Sequence, residues 1–192
     1  MSYDWLDAER DRAYEELVEE IISDNKHLII SEFALERLRS FYLEHPDLSE
    51  PATSVLAEAK ALLPVSPSAA LVFAFVCIEI TLRDVLARPV AVGLVHDGTM
   101  GELVAELVVS NRHFHKLLFH ILNEAGHVPL DVLRRTKKST NIWAEKEALR
   151  AKRDQVVHRG AKATTEEADV AIWIAAFLLE KVYPGLKNYY GA

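Results

Sequence analysis

Ser66-Pro67-Ser68-Ala69-Ala70-Leu71-Val72-Phe73-Ala74-Phe75-Val76-Cys77-Ile78-Glu79 is the stretch that decides the fold. Serine followed by proline is the form of a helix N-cap with a first-turn proline. Ten apolar residues then run without a break, Ala69–Ile78. A helix that is apolar all round belongs at the centre of a core. Ten residues are too few to span a bilayer, which needs about 20. The spacing predicts a central helix from Pro67 to about Leu86, closed by Arg88-Pro89. Near its end Glu79 and Arg83 stand four apart, in the favourable order for an ion pair.

Working outward, helical periodicity recurs on both sides. Ala13, Leu17, Val18, Ile21 and Ile22 mark a helix over Asp7–Ser23. Phe33, Leu35, Leu38, Phe41 and Tyr42 mark another from Ser31 to His45, ended by His45-Pro46. Glu50-Pro51 opens a shorter helix through Ala61, and Leu63-Pro64-Val65-Ser66-Pro67 is the clearest boundary. After a turn at His96-Asp97-Gly98, helices are expected over Thr99–Val109 and Asn111–Glu124, and a short helical turn over Leu130–Arg135. Ser139 or Thr140 starts the next helix, which ends at His158 with Gly160 in the left-handed capping position. Thr164-Thr165-Glu166-Glu167 has capping-box spacing. The last helix is expected over Glu166–Tyr183, stopped by Pro184-Gly185. Strand-type alternation is absent, and 7 Gly and 7 Pro in 192 residues leave little room for long loops. The reading is all-α, with an N-terminal helical extension over 1–62, a core domain over 63–185 and a tail over 186–192.

Composition bounds the function. The chain is 50% hydrophobic and 27% charged, ordinary for a globular protein. Cys77 is the single cysteine, so no internal disulfide forms. Met1–Asp11 is acidic without a signal-peptide pattern, and a cytoplasmic protein is expected. The formal net charge of −7 is unevenly spread. Residues 1–60 carry 6 Lys/Arg against 15 Asp/Glu, whereas residues 134–162 carry 10 against 3. A basic segment in an acidic chain suits a phosphate backbone, or balances the acidic helices of the same molecule. Eight of these cations, Arg134, Arg135, Lys137, Lys138, Lys146, Arg150, Lys152 and Arg159, are expected as an RNA-contacting rim. His113, His115, His120 and His127 cluster, but no carboxylate or cysteine completes a metal set, so neither metal nor cofactor is expected. Gly-rich phosphate loops and nucleophile elbows are absent.

The chemistry-bearing segment is Leu149-Arg150-Ala151-Lys152-Arg153-Asp154-Gln155-Val156-Val157-His158-Arg159-Gly160. Arg153 shares a helix face with Leu149 and Val156, where a charge is costly unless paired or facing a cleft. Asp154 and His158 are four apart, so their side chains can meet. Arginine can clamp a phosphate and histidine can move a proton. The same residues also admit a structural reading, with Arg153 bridged to Glu79 and His158 as a helix C-cap.

Arg153-Asp154 followed by His158 and a glycine, near the end of one helix and before a capped apolar helix, resembles the HEPN family (higher eukaryotes and prokaryotes nucleotide-binding). The apolar, alanine-rich helix ending in Glu79 and Arg83 looks like that family's first core helix. The resemblance covers roughly residues 63–185. It implies a helical bundle, a homodimer with two motifs facing across a twofold axis, and a metal-independent endoribonuclease. Many members act in toxin–antitoxin, phage-defence or RNA-processing systems, while others only bind nucleotides or partners. Carried over, His158 transfers the proton, Arg153 holds the scissile phosphate, Asp154 orients the site, and Glu79 and Arg83 support it. An antitoxin or other partner protein on the acidic N-terminal helices is a further expectation, and a non-catalytic dimerisation or partner-binding module is the alternative.

Overall fold

The computed structural model describes residues 35–94, 98–110, 119, 132–137 and 139–189. The expected helix over Asp7–Ser23, the turn at His96-Asp97, the helix over Asn111–Glu124 apart from Phe119, and the histidine cluster lie outside them, as does Lys138. The described residues are helical almost throughout, with one isolated antiparallel bridge, Arg134 to Asn141. Among them no helix is long and apolar enough to cross a membrane.

The elements are α1 (35–44), α2 (Glu50–Leu62), α3 (Pro67–Ile80), a π-helical segment (Thr81–Ala87), α4 (Arg88–Leu94), α5 (Gly98–Ser110), α6 (Ile142–Arg159), α7 (Thr165–Phe177), a second π-helical segment (Leu178–Val182) and α8 (Tyr183–Tyr189). Their ends follow local chemistry. Ser66 caps α3, its hydroxyl accepting from the Ala69 N–H, with proline in the first turn. Thr164 and Glu167 form a full capping box on α7, and Gly160 ends α6 at φ 65°. Asn141, rather than Ser139 or Thr140, caps α6 by accepting from the Ala144 N–H at 2.7 Å. The short helical turn expected at Leu130–Arg135 is replaced over its described residues by the bridge, which puts Arg134 beside Asn141. The Ile142 N–H to Leu133 carbonyl bond then takes up a group that a helical turn would have left unpaired.

Two prolines expected to end helices do not. The central helix runs through Pro89 to Leu94, and the last runs through Pro184 to Tyr189. Each proline sits two residues past a π-helical segment. Just before each one, an N–H donates five residues back: Arg88 to the Arg83 carbonyl and Tyr183 to the Leu178 carbonyl. A proline breaks a helix by removing its own bond and crowding the carbonyl four residues earlier. The wider turn moves that carbonyl out of the way. For Pro89 the freed carbonyl is Val85, and the buried Tyr42 hydroxyl donates to it at 3.4 Å.

The core lies where α3 meets α2 and α7. Ala70 and Ala74 of α3, Ala52 and Ala59 of α2, and Ala168, Ala171 and Ala175 of α7 are fully buried. Small side chains at these crossings let the axes approach, while Leu71, Phe75 and Ile78 fill the space between. Contacts divide the chain into two units, Met1–Glu36 and Arg37–Ala192. Residues 37–62, read from sequence as part of an extension, therefore pack within the second unit, with Leu38, Tyr42 and Leu56 in its core. The apolar girdle of α3 is not wholly covered, because Val76 is 39% exposed.

Candidate functional site

Arg153 stands on α6 opposite the end of α3, and three groups hold it. Its Nη2 donates to Glu79 Oε1 at 2.6 Å, its Nη1 lies 3.2 Å from Asp154 Oδ1, and its guanidinium lies over the Phe75 ring at 5.6 Å. The side chain is 22% exposed, against 48% for Glu79 and 49% for Asp154. The guanidinium is thus packed on one side and wetted on the other. Its Nε is buried and has no hydrogen-bond partner among the described residues. A guanidinium held by two carboxylates has its orientation fixed while part of the side chain stays exposed to solvent.

Two expected pairings are rearranged. Glu79 pairs with Arg153, not with Arg83. The π-helical segment begins between Glu79 and Arg83, so the four-residue register of a regular helix no longer aligns them. Arg83 instead forms a two-pronged pair with Asp84, both bonds 2.8 Å, and approaches Glu106 of α5 at 3.5 Å. Donating to the Asp84 carboxylate raises the Arg83 pKa above its ordinary value. Asp154 faces Arg153 rather than His158, because a guanidinium at hydrogen-bonding distance outcompetes a ring one turn further on. His158 is exposed and, among the described residues, has no hydrogen-bond or ion-pair partner. It lies five residues after Arg153, about 140° around the helix. One chain therefore presents the arginine and the histidine on different sides of α6.

A cleft of about 170 Å³ opens beside this pair, lined by Glu79, Leu82, Arg83, Glu106, Val109, Lys146 and Arg150. Lys146 is 5% exposed, with its ammonium 3.9 Å from the Trp143 ring centre and 2.8 Å from Glu147 Oε1. Burial lowers its pKa, partly offset by Glu147. Phe119 meets Trp143 edge-on, with ring centres 4.8 Å apart. The sequence flagged Lys146 as a rim cation; three-residue spacing already sets it beside Trp143, but its burial depends on what α6 packs against.

The other basic positions divide. Arg135 sits 3.7 Å from Glu145, Arg150 4.0 Å from Glu147 and Lys152 3.2 Å from Glu167. Arg134, Lys137 and Arg159 are exposed, and among the described residues Arg134 reaches the Ser139 carbonyl, at 3.5 Å. Part of the basic segment thus balances carboxylates of its own surroundings. Among the described residues no group of three His, Cys, Asp or Glu could hold a metal ion. Comparison with family models, curated proteins and solved structures finds no match.

Proposed function

We propose that the chain is a metal-independent endoribonuclease of HEPN type, acting as a homodimer in the cytoplasm in a toxin, defence or RNA-processing role. The observation that carries this reading is the state of Arg153: oriented by Glu79 and Asp154, yet still 22% exposed to solvent. In the proposed reaction the RNA 2′-hydroxyl loses its proton and attacks the adjacent phosphorus. The bond to the 5′-oxygen breaks, leaving a 2′,3′-cyclic phosphate and a free 5′-hydroxyl. His158 moves the proton and Arg153 stabilises the charge that builds on the phosphoryl oxygens.

The dimer is supported by geometry and by exposed apolar surface. Because Arg153 and His158 point about 140° apart on one helix, two copies of α6 facing each other would complete a cleft that one copy leaves split. Val76 shares a face with Glu79 and Val157 shares one with Arg153. Both valines are exposed, at 39% and 51%, and flank the Arg153–Glu79 pair with surface a partner copy would cover. Arg134, Lys137 and Arg159 would then steer the RNA.

The test is cleavage of single-stranded RNA by purified wild type, His158→Ala and Arg153→Ala, with EDTA present. Cleavage by wild type alone, surviving chelation and leaving cyclic phosphate ends, is the expected result. Equal cleavage by all three proteins, with contaminating nuclease excluded, refutes it. A second reading has one observation in its favour, the 2.6 Å bond to Glu79, which can serve stability alone. In that case the chain is a non-catalytic dimerisation or partner-binding module. Its signature is a large stability loss on Arg153→Ala with no cleavage of any RNA by wild type.

A further inference from the structure

The cleft beside Arg153 has a lining unlike a phosphate site. Three cations, Arg83, Lys146 and Arg150, face two carboxylates, Glu79 and Glu106, with Leu82 and Val109 as apolar walls. Phosphate presents acceptors only, so it offers no donor to the carboxylates of this lining. A nucleobase presents acceptors and donors on one flat edge, with apolar faces above and below. The volume, about 170 Å³, is below the roughly 300–1,000 Å³ of pockets for drug-sized ligands, which fits one ring system rather than a whole nucleotide.

The donors and acceptors are also held still. Arg83 is fixed by two 2.8 Å bonds to Asp84 and by Glu106 at 3.5 Å. Lys146 is fixed between Trp143 and Glu147. Arg150 lies one turn beyond Lys146 on α6, 4.0 Å from Glu147. Glu79 lines the cleft and also binds Arg153, so it is the common wall between the cleft and the proposed phosphate site. RNA is read for sequence mostly through splayed-out bases whose edges are hydrogen-bonded in such pockets.

We infer that this cleft reads a single unstacked guanine next to the phosphate held by Arg153. Arg83, Lys146 and Arg150 donate to O6 and N7, the pairing arginine and lysine commonly make with guanine. The carboxylates of Glu106 and Glu79 accept from N1–H and the exocyclic amine. Adenine offers an acceptor at N1 where a carboxylate stands, and the pyrimidines lack the N7 edge. The inference rests on the nuclease reading for its place beside a scissile phosphate, but its test does not require cleavage.

The test uses the full chain carrying His158→Ala, with binding read by fluorescence anisotropy. The probes are short uridine oligonucleotides, unmodified or with one central guanosine, adenosine or cytidine. The guanosine oligonucleotide is expected to bind about 10-fold to 100-fold more tightly than the others. Glu106→Gln and Arg150→Ala, each added at a partly exposed side chain, are expected to bring that ratio close to one. Equal binding of all four oligonucleotides, no binding of any, or a guanosine preference unchanged in both variants overturns the inference. Guanosine-selective binding with no cleavage by wild type would sink the nuclease reading and leave the base pocket. Cleavage by wild type without base-selective binding would do the reverse.

Discussion

The strength of the Arg153–Glu79 pair can be bracketed from its surroundings. Fully exposed ion pairs are worth about 0–1 kcal/mol, whereas breaking a fully buried one costs about 3–5 kcal/mol. Arg153 is 22% exposed and Glu79 48%, so the pair lies between these limits and nearer the first. The 2.6 Å distance favours it, but Asp154 at 3.2 Å would retain part of the charge balance if Glu79 were lost. A coupling energy of about 1–2 kcal/mol follows. The perturbation is a double-mutant cycle of Glu79→Ala, Arg153→Ala and both together, each followed by urea unfolding. Arg153→Ala is expected to cost more than Glu79→Ala, because it also removes the contact with Phe75. In a chain of this size 1 kcal/mol corresponds to roughly 2–4 °C in Tm, so each single variant should melt measurably lower. Activity supplies the second readout. With Glu79→Ala the guanidinium keeps its charge but loses its main anchor, and on the proposed nuclease reading RNA cleavage should fall far more than stability. A coupling energy near zero would refute the reasoning, since Glu79 would then not be holding Arg153 at all.

Four further outcomes are expected. Gly160→Ala should destabilise by about 1–2 kcal/mol, read by denaturant unfolding: the site has open space around it, so the cost comes from its φ of 65° alone. Lys146→Met should flatten the pH dependence of stability on the alkaline side. The folded state lowers the Lys146 pKa, so it binds fewer protons than the unfolded state between the folded value and the ordinary 10.5, and wild-type stability should rise with pH across that window while the variant's does not. Thr164→Ala should cost about 1 kcal/mol through loss of the α7 cap. Glu167 belongs to the same box, its carboxylate favoured by the Thr164 backbone N–H, so its contribution is present above pH 4.5 and is lost as pH falls through its lower folded pKa; Glu167→Gln should remove that acid-side loss in a stability titration.

Helix existence was legible in the sequence wherever the signal is local. Ser66-Pro67, Thr164 to Glu167 and Gly160 act within one or two turns of backbone, so their residue types suffice to place helix ends near them. The all-α class followed from apolar residues recurring at three and four, a pattern that only a helix can bury on one face. Arg153 was legible as an anomaly, a charge on a face otherwise apolar, and Glu79 as one of its possible partners.

What the sequence could not settle depended on partners far away along the chain. Pro89 and Pro184 read as stops, since proline's local effect is to break a helix. Only packing shows the two π-helical segments that let them through, and the Tyr42 hydroxyl that satisfies the Val85 carbonyl from 43 residues away. Spacing allowed Glu79 to meet Arg83 and Asp154 to meet His158. The π-helical register and the approach of α6 to α3 gave both carboxylates to Arg153 instead. The sequence by itself determined which backbone could be helical, because that is a local question of bonds and sterics. The tertiary structure decided which charges meet, because ion pairs form between whichever groups the packed helices bring within a few ångströms.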